Sequence, residues 1–339
     1  MTQLRTTVPT RYHLISVLVA ASIVGVLIGL AIAAAGPVPG LVEPEAVVRY
    51  GLPIVRVLLD MAAVVTVGLC LLPILIGFDR PNVAEPVLAG SRRAAAASAL
   101  VWAMSALVTL VLQTAELHPG SNVSVGSVAD YVTQVGAGKA LVLVAVMALV
   151  SFALAIASTR IGESVPAELR AAVALFALLP LPVTGHATNW RWHDVTMVSM
   201  ELHVLAAATW TGGLGAAVTL LAANRTLLVL ALPRFSKVAT VCLIVVVATG
   251  LFNGLVELAL SPGRTLVGAL FGTDYGLLVL LKVSCFGLLA TLGAHIRWRL
   301  LPAIVRHQRT ALVGWAALEL AVMGLAFGFA VVLTRASVS

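Results

Sequence analysis

Nine stretches of about 20 apolar residues run through this chain, at roughly 14–35, 52–78, 94–116, 138–158, 168–184, 195–221, 236–258, 275–298 and 311–334. A bilayer core about 30 Å thick is crossed by about 20 helical residues rising 1.5 Å each. In lipid every backbone N–H and C=O must be satisfied within the segment or in a closed barrel. The runs are rich in Ala, Leu and Val and lack two-residue alternation, so they read as helices rather than barrel strands. The predicted fold class is all-α: a polytopic transmembrane helix bundle of about nine spans. Residues 1–167 make an N-terminal half of four spans, and residues 168–339 a C-terminal half. The first run follows Arg5 and Arg11 and ends in Ala33-Ala34-Ala35, as a signal peptide would. It is too long for a typical signal core and is read as an uncleaved helix.

Charge sets the orientation. Only 10% of residues are charged, against about 25% in soluble domains, which excludes a soluble enzyme and a nucleic-acid-binding domain. With the N-terminus in the cytoplasm, the inner segments hold Arg5, Arg11, Arg80, Arg92, Arg93, Arg160, Arg170, Arg225, Arg234, Lys237, Arg297, Arg299, Arg306 and Arg309. The outer segments hold only Arg49, Arg191, Arg264 and Arg335. This bias over short loops predicts N-in and C-out, in a multi-pass protein of the cell inner membrane. Residues 222–233 then read as an interfacial segment, interrupted by Asn224 and Arg225 and closed by Pro233. Residues 259–274 read as a second short interfacial piece. Gly25/Gly29, Gly250/Gly254 and Gly324/Gly328 have the spacing that lets membrane helices approach closely.

Ionisable groups inside a bilayer are costly and are the first functional candidates. Arg56 and Asp60 are one turn apart and can pair. Glu201, Glu257, Lys282 and Glu319 are the other charges in spans. The richest stretch is 180–215, where a short span ends in Pro180 and Pro182, a sign of binding sites in transporters. His186 and His193 follow on the outer side. His193, Met197 and Met200 share one helix face, and His203 continues it about one turn deeper. Imidazole and thioether suit copper, and Met favours Cu(I). A Met stripe at this spacing is also what core packing produces, and a loop His is often only solvated. The candidate metal ligands are His186, His193, Met197, Met200 and His203, with Asp60, Glu201, Lys282 and Glu319 as supporting polar groups. Glu116 and His118 lie at the same outer side and could join them. His295 and His307 belong to the basic inner loop and face lipid or solvent. Cys70, Cys242 and Cys285 read as inert buried thiols. No P-loop, HExxH, GxSxG or paired-cysteine site is present, and no enzymatic activity is expected.

These segments resemble the copper resistance protein D family of bacterial inner-membrane proteins. The resemblance rests on Gly185-His186-Ala187, on Leu202-His203 through Trp210-Thr-Gly212-Gly213-Leu, and on Arg234-Phe-Ser-Lys-Val-Ala. It continues in Thr249-Gly-Leu and in Phe271-Gly-Thr-Asp-Tyr-Gly through Lys282, with Glu319 in the last span, and covers about 180–335. The first half is comparable only as a helical bundle. Membership implies copper handling and copper uptake across the cytoplasmic membrane. It points to His186 and His203, with Lys282 and Glu319 as supporting or structural polar groups. No cupredoxin-like domain is fused to the chain, so the expected partners are membrane lipid and a separate periplasmic copper-binding protein. Three functions fit these ligands: a copper transporter, a copper-holding assembly factor for a respiratory oxidase, and a membrane haem or redox protein using axial imidazoles. Copper is the suspected metal.

Overall fold

The computed structural model describes residues 11–33, 44–184, 193–259, 265–306, 308 and 310–335. Among the described residues the regular structure is helical. The helices are α1 (His13–Ile32), α2 (Ala46–Ile76), α3 (Pro81–Leu117), α4 (Val125–Gln134), α5 (Gly136–Ile161) and α6 (Ala167–Phe176). They are followed by α7 (His193–Leu221), α8 (Arg225–Ala259), α9 (Leu266–Gly272), α10 (Asp274–His295), α11 (Leu301–Val305) and α12 (Leu312–Leu333). Among the described residues nine helical stretches are long and apolar enough to cross a membrane, and they coincide with the nine runs read from the sequence. The chain is therefore a multi-pass membrane protein.

Two boundaries and one side chain differ from expectation. Residues 225–233 do not form a separate interfacial piece; they are the first turns of α8, with Leu227, Leu228, Ala231 and Leu232 buried and Pro233 inside the helix. Hydrophobic contacts carry the helix through the proline, which a membrane helix tolerates when its neighbours serve the freed backbone groups. The basic stretch after α10 is also helical as far as Val305, through a π-helical segment Ile296–Leu300 and then α11. His295 does not face outward: its ring stacks on Trp315 of α12, with centroids 4.1 Å apart. His307 lies outside the described residues.

Glycines set the helix spacing. Gly25 of α1 lies against Gly328 of α12, while Gly29 faces Val332 and Gly324 faces Leu18, Ala21 and Ser22, so the first and last spans run side by side. A methyl on Gly25 would meet the Leu325 carbonyl at 2.6 Å, and one on Gly29 would meet the Val332 side chain at 2.8 Å. Two of the three spaced glycine pairs thus face each other across one crossing, as small residues do in lipid. The third pair behaves otherwise: Gly254 meets nothing within 4 Å, and Gly250 lies under the ring of His203. α2 and α7 touch backbone to backbone at Gly68 and Gly212, where any side chain would collide with the opposite carbonyl. Gly213, next on α7, leaves room for the Phe235 ring of α8, whose Cε2 would be 2.7 Å from an added methyl.

Charges sort to the two ends. At the end rich in arginine, the Arg234 guanidinium donates to the carbonyls of Leu75 at 3.3 Å and Ile76 at 2.8 Å, closing the last turn of α2 where Gly77 turns the chain with φ +78°. That is cationic capping of carbonyls a helix leaves unpaired. Arg92 and Arg170, both buried, share Glu163 at 2.8 Å each, and Arg92 also pairs with Glu85. At the opposite end Arg335, just past α12, pairs with Glu116 of α3. There the Tyr131 hydroxyl of α4 donates to Gln113 at 2.9 Å. Burial, and secondarily the Glu116 carboxylate, lift the Tyr131 phenol above its ordinary value.

Candidate functional site

α7 is the helix on which the candidate residues meet, and its neighbours determine what each one touches. Ala, Gly and Thr along 206–219 let α2, α8 and α12 come close on different sides. His203 lies ten residues from the start of α7, about 15 Å along its axis and so near the middle of a bilayer core. Its Nδ1 is 2.9 Å from the Thr249 hydroxyl of α8. That hydroxyl donates its own proton to the Val245 carbonyl at 2.6 Å. A hydroxyl has one proton; with that proton on Val245, Thr249 Oγ1 accepts from the Nδ1–H tautomer of His203, the tautomer in which Nε2 keeps its lone pair. Fixing one ring nitrogen this way is how metal-binding imidazoles are oriented.

Three helices shape the surroundings of this ring. Gly250 leaves the space an alanine methyl would take, 3.2 Å from the imidazole Cε1. From α10 the Phe286 ring stands edge-on, 6.5 Å between centroids and 87° between planes. Lys282 lies one turn from Phe286 on the same helix and acts electrostatically on His203. Met200, one turn from His203 toward the start of α7, has its sulfur 4.0 Å from the Asn253 amide nitrogen. The antiparallel pair α7 and α8 thus matches Met200 to Asn253 and His203 to Thr249.

The other expected ligands distribute as follows. Met197 is half-buried on α7. His193 is the first residue of α7, and its side chain lies outside what is described; His186 lies outside the described residues. Glu201 is half-buried on α7. Asp60 pairs with Arg56, Nε to Oδ1 3.5 Å, as its spacing predicts. The same guanidinium reaches the Thr184 hydroxyl and, at 3.5 Å, the Leu181 carbonyl. It therefore serves backbone where the short span of α6 unwinds past Phe176 around Pro180 and Pro182, a structural role for this pair. Glu319 of α12 is buried, its Oε1 3.8 Å from where a methyl on Gly293 of α10 would stand. Glu116 and His118 stand apart from the seam: Glu116 pairs with Arg335, and the His118 ring is 3.0 Å from the Thr114 carbonyl of its own helix. Cys70, Cys242 and Cys285 are free thiols. Among the described residues, no three of His, Cys, Asp and Glu gather into a metal-holding group; the soft donors here are one imidazole and a thioether.

Sequence reasoning found the span of α8 but did not read its polar face. Thr249, Asn253 and Glu257 recur at i, i+4 and i+8 on an otherwise apolar helix, a polar stripe that was there to be found.

Apolar spans whose few polar side chains converge at mid-depth define a multi-pass membrane protein with a polar seam between two helices. The description "Copper resistance protein D" matches residues 229–333, and "Copper resistance protein D-like, N-terminal domain" matches residues 45–194. The chain belongs to the copper resistance protein D family, which ties it to copper resistance and handling. The likeness therefore reaches well into the first half of the chain, beyond the motifs that begin near residue 180. Residues 195–228, with Met197, Met200 and His203, lie between the two matched ranges, whereas Thr249, Asn253, Lys282 and Glu319 lie within the second. No curated protein and no solved structure is significantly similar to the chain.

Proposed function

We propose that the chain carries copper inward across the cytoplasmic membrane along the α7 face, with its arginine-rich end in the cytoplasm. Copper is the cargo. His186 and His193 meet it on the outer side, delivered by a separate periplasmic copper-binding protein, and Met197, Met200 and His203 pass it to mid-depth. The observation that carries this reading is the seating of His203: an imidazole with Nδ1 committed to Thr249 presents Nε2 as a ligand. One imidazole and one or two thioethers make weak successive sites, and weak sites let an ion leave as well as enter. Asp60, Glu201, Lys282 and Glu319 act in support as the polar groups within the spans.

The test is copper accumulation in cells producing His203→Ala, with membrane insertion verified on the same samples. Accumulation is expected to fall toward that of cells lacking the protein; unchanged accumulation overturns the path. Flux into proteoliposomes separates transport from a holding role in oxidase assembly. Copper retained at fixed stoichiometry with no flux would favour the holding role.

A further inference from the structure

Asn253 is the residue on the seam whose hydrogen bonding is incomplete. Its side chain is 7% exposed, and its amide nitrogen meets only the Met200 sulfur at 4.0 Å. Its carbonyl oxygen Oδ1 is buried with no hydrogen-bond partner. A buried amide oxygen without a donor is costly, and costlier still among lipid-facing helices where water cannot substitute. A membrane helix gains nothing by holding asparagine there unless something arrives to use that oxygen.

The neighbouring groups indicate what arrives. Along α8, Asn253 is one turn from Thr249, which seats His203; along α7, Met200 is one turn from His203. The thioether is a soft donor without a proton, and Nε2 of His203 is a second lone pair. A third lone pair on Oδ1, one turn along the seam from His203, adds an acceptor to these two, and such donors suit a cation; Lys282 of α10 is the cationic group that also acts on His203. In the structure the amide presents its N–H to the sulfur, because two acceptors would repel. A half-turn about the Cβ–Cγ bond exchanges the two ends of the amide and brings Oδ1 beside Sδ, so that both face an ion.

We infer that Asn253 is a cation-binding residue of the α7–α8 seam, its Oδ1 joining Met200 Sδ and His203 Nε2 around a monovalent soft metal ion. This rests on the proposed copper path and adds to it a donor from α8. A carbonyl oxygen is a weak partner for a soft ion, and its contribution is a dipole that solvates the charge where the dielectric is low.

The test uses the full-length protein in detergent micelles and Ag(I), a redox-inert stand-in for Cu(I), titrated against a chromophoric chelator. Asn253→Leu is expected to weaken Ag(I) binding about tenfold, the scale of losing one supporting metal contact. Asn253→Met, close to leucine in volume but carrying a thioether, is expected to restore binding to the wild-type level or above. A purely structural amide would not be rescued by methionine, so equal weakness in the Leu and Met variants overturns the inference. Wild-type binding by Asn253→Leu also overturns it. If Asn253→Leu does not fold, judged by gel filtration and thermal midpoint, Asn253→Met alone decides: binding weaker than wild type overturns the inference, and binding at or above it supports it. Met200→Leu and His203→Ala distinguish the two levels. If they lose Ag(I) while Asn253→Leu does not, the path stands and the Asn253 role fails; if all of them bind as wild type does, the path itself fails.

Discussion

α2 and α7 form one kind of contact, and α8 and α10 another. In the most apolar stretch of α2, 78% of residues are buried, and 72% in α7; in α8 and in α10 the figure is 17%. The first pair meets glycine to glycine, with backbone against backbone. The second pair barely touches, and each of its members leans on a different neighbour, α8 on α7 and α10 on α12. His203 belongs to the tightly held helix, yet its ring is turned toward the loosely held ones. The difference separates two jobs: the glycine crossings fix where α7 stands, and the more open helices α8 and α10 shape the surroundings of the imidazole. Mutations should therefore divide into those that unfold the protein and those that empty the site.

Gly212→Leu should have the largest effect, because its side chain meets the Val64 carbonyl and the Gly68 backbone with nothing flexible to yield. Overpacking of this kind costs about 3 kcal/mol or more, read as loss of monodisperse protein on extraction or a large fall in thermal midpoint. A wild-type midpoint would break the claim that α2 and α7 are in backbone contact. Arg234→Ala comes next. It strips two carbonyls at the end of α2 of their charged donor, for a loss of about 1–2 kcal/mol, visible as a lower midpoint with metal binding little changed. The smallest stability effect belongs to a matched pair in α8. Gly250→Ala should leave the midpoint nearly unchanged but displace the His203 ring, weakening Ag(I) binding several-fold. Gly254→Ala, with open space around it, should bind as wild type does and gain up to about 1 kcal/mol from helix propensity. Equal binding by the two alanine variants would remove Gly250 from the seat of His203.

The spans were legible in the sequence because bilayer thickness alone sets their length, and a run of Ala, Leu and Val meets that requirement without reference to any partner. The ends of α8 and α10 were not, since a basic or proline-containing stretch continues as helix only if a neighbour supports it. Leu227 and Ile304 are buried by such neighbours. At the site, the face shared by Met200 and His203 could be read from helical spacing. The identity of the group opposite could not, because Thr249 lies 46 positions from His203 and no local rule pairs them. The motifs behind the family resemblance include both kinds of residue. Gly212, Gly213 and Arg234 make joints between helices, Thr273 caps α10 by accepting from the Gly276 N–H at 3.0 Å, and Thr249 and Gly250 seat the histidine.

Near its start α8 is held by directional bonds and a seated ring, and near its far end by apolar contact, where Leu258 packs with Ala269 and Tyr275. Arg234 grips α2, Phe235 fills the notch at Gly213, and Arg297 donates to the Ser236 carbonyl at 3.2 Å and to the Thr240 hydroxyl. A rod held by directional bonds at its foot and by apolar contact at its tip can pivot about the foot. Thr249 stands fifteen residues from Arg234, about 22 Å along the rod, so a tilt of about 5° carries its hydroxyl roughly 2 Å. That is enough to exchange a hydrogen bond for a gap, and the imidazole would be released or gripped while the pinned end stayed in place.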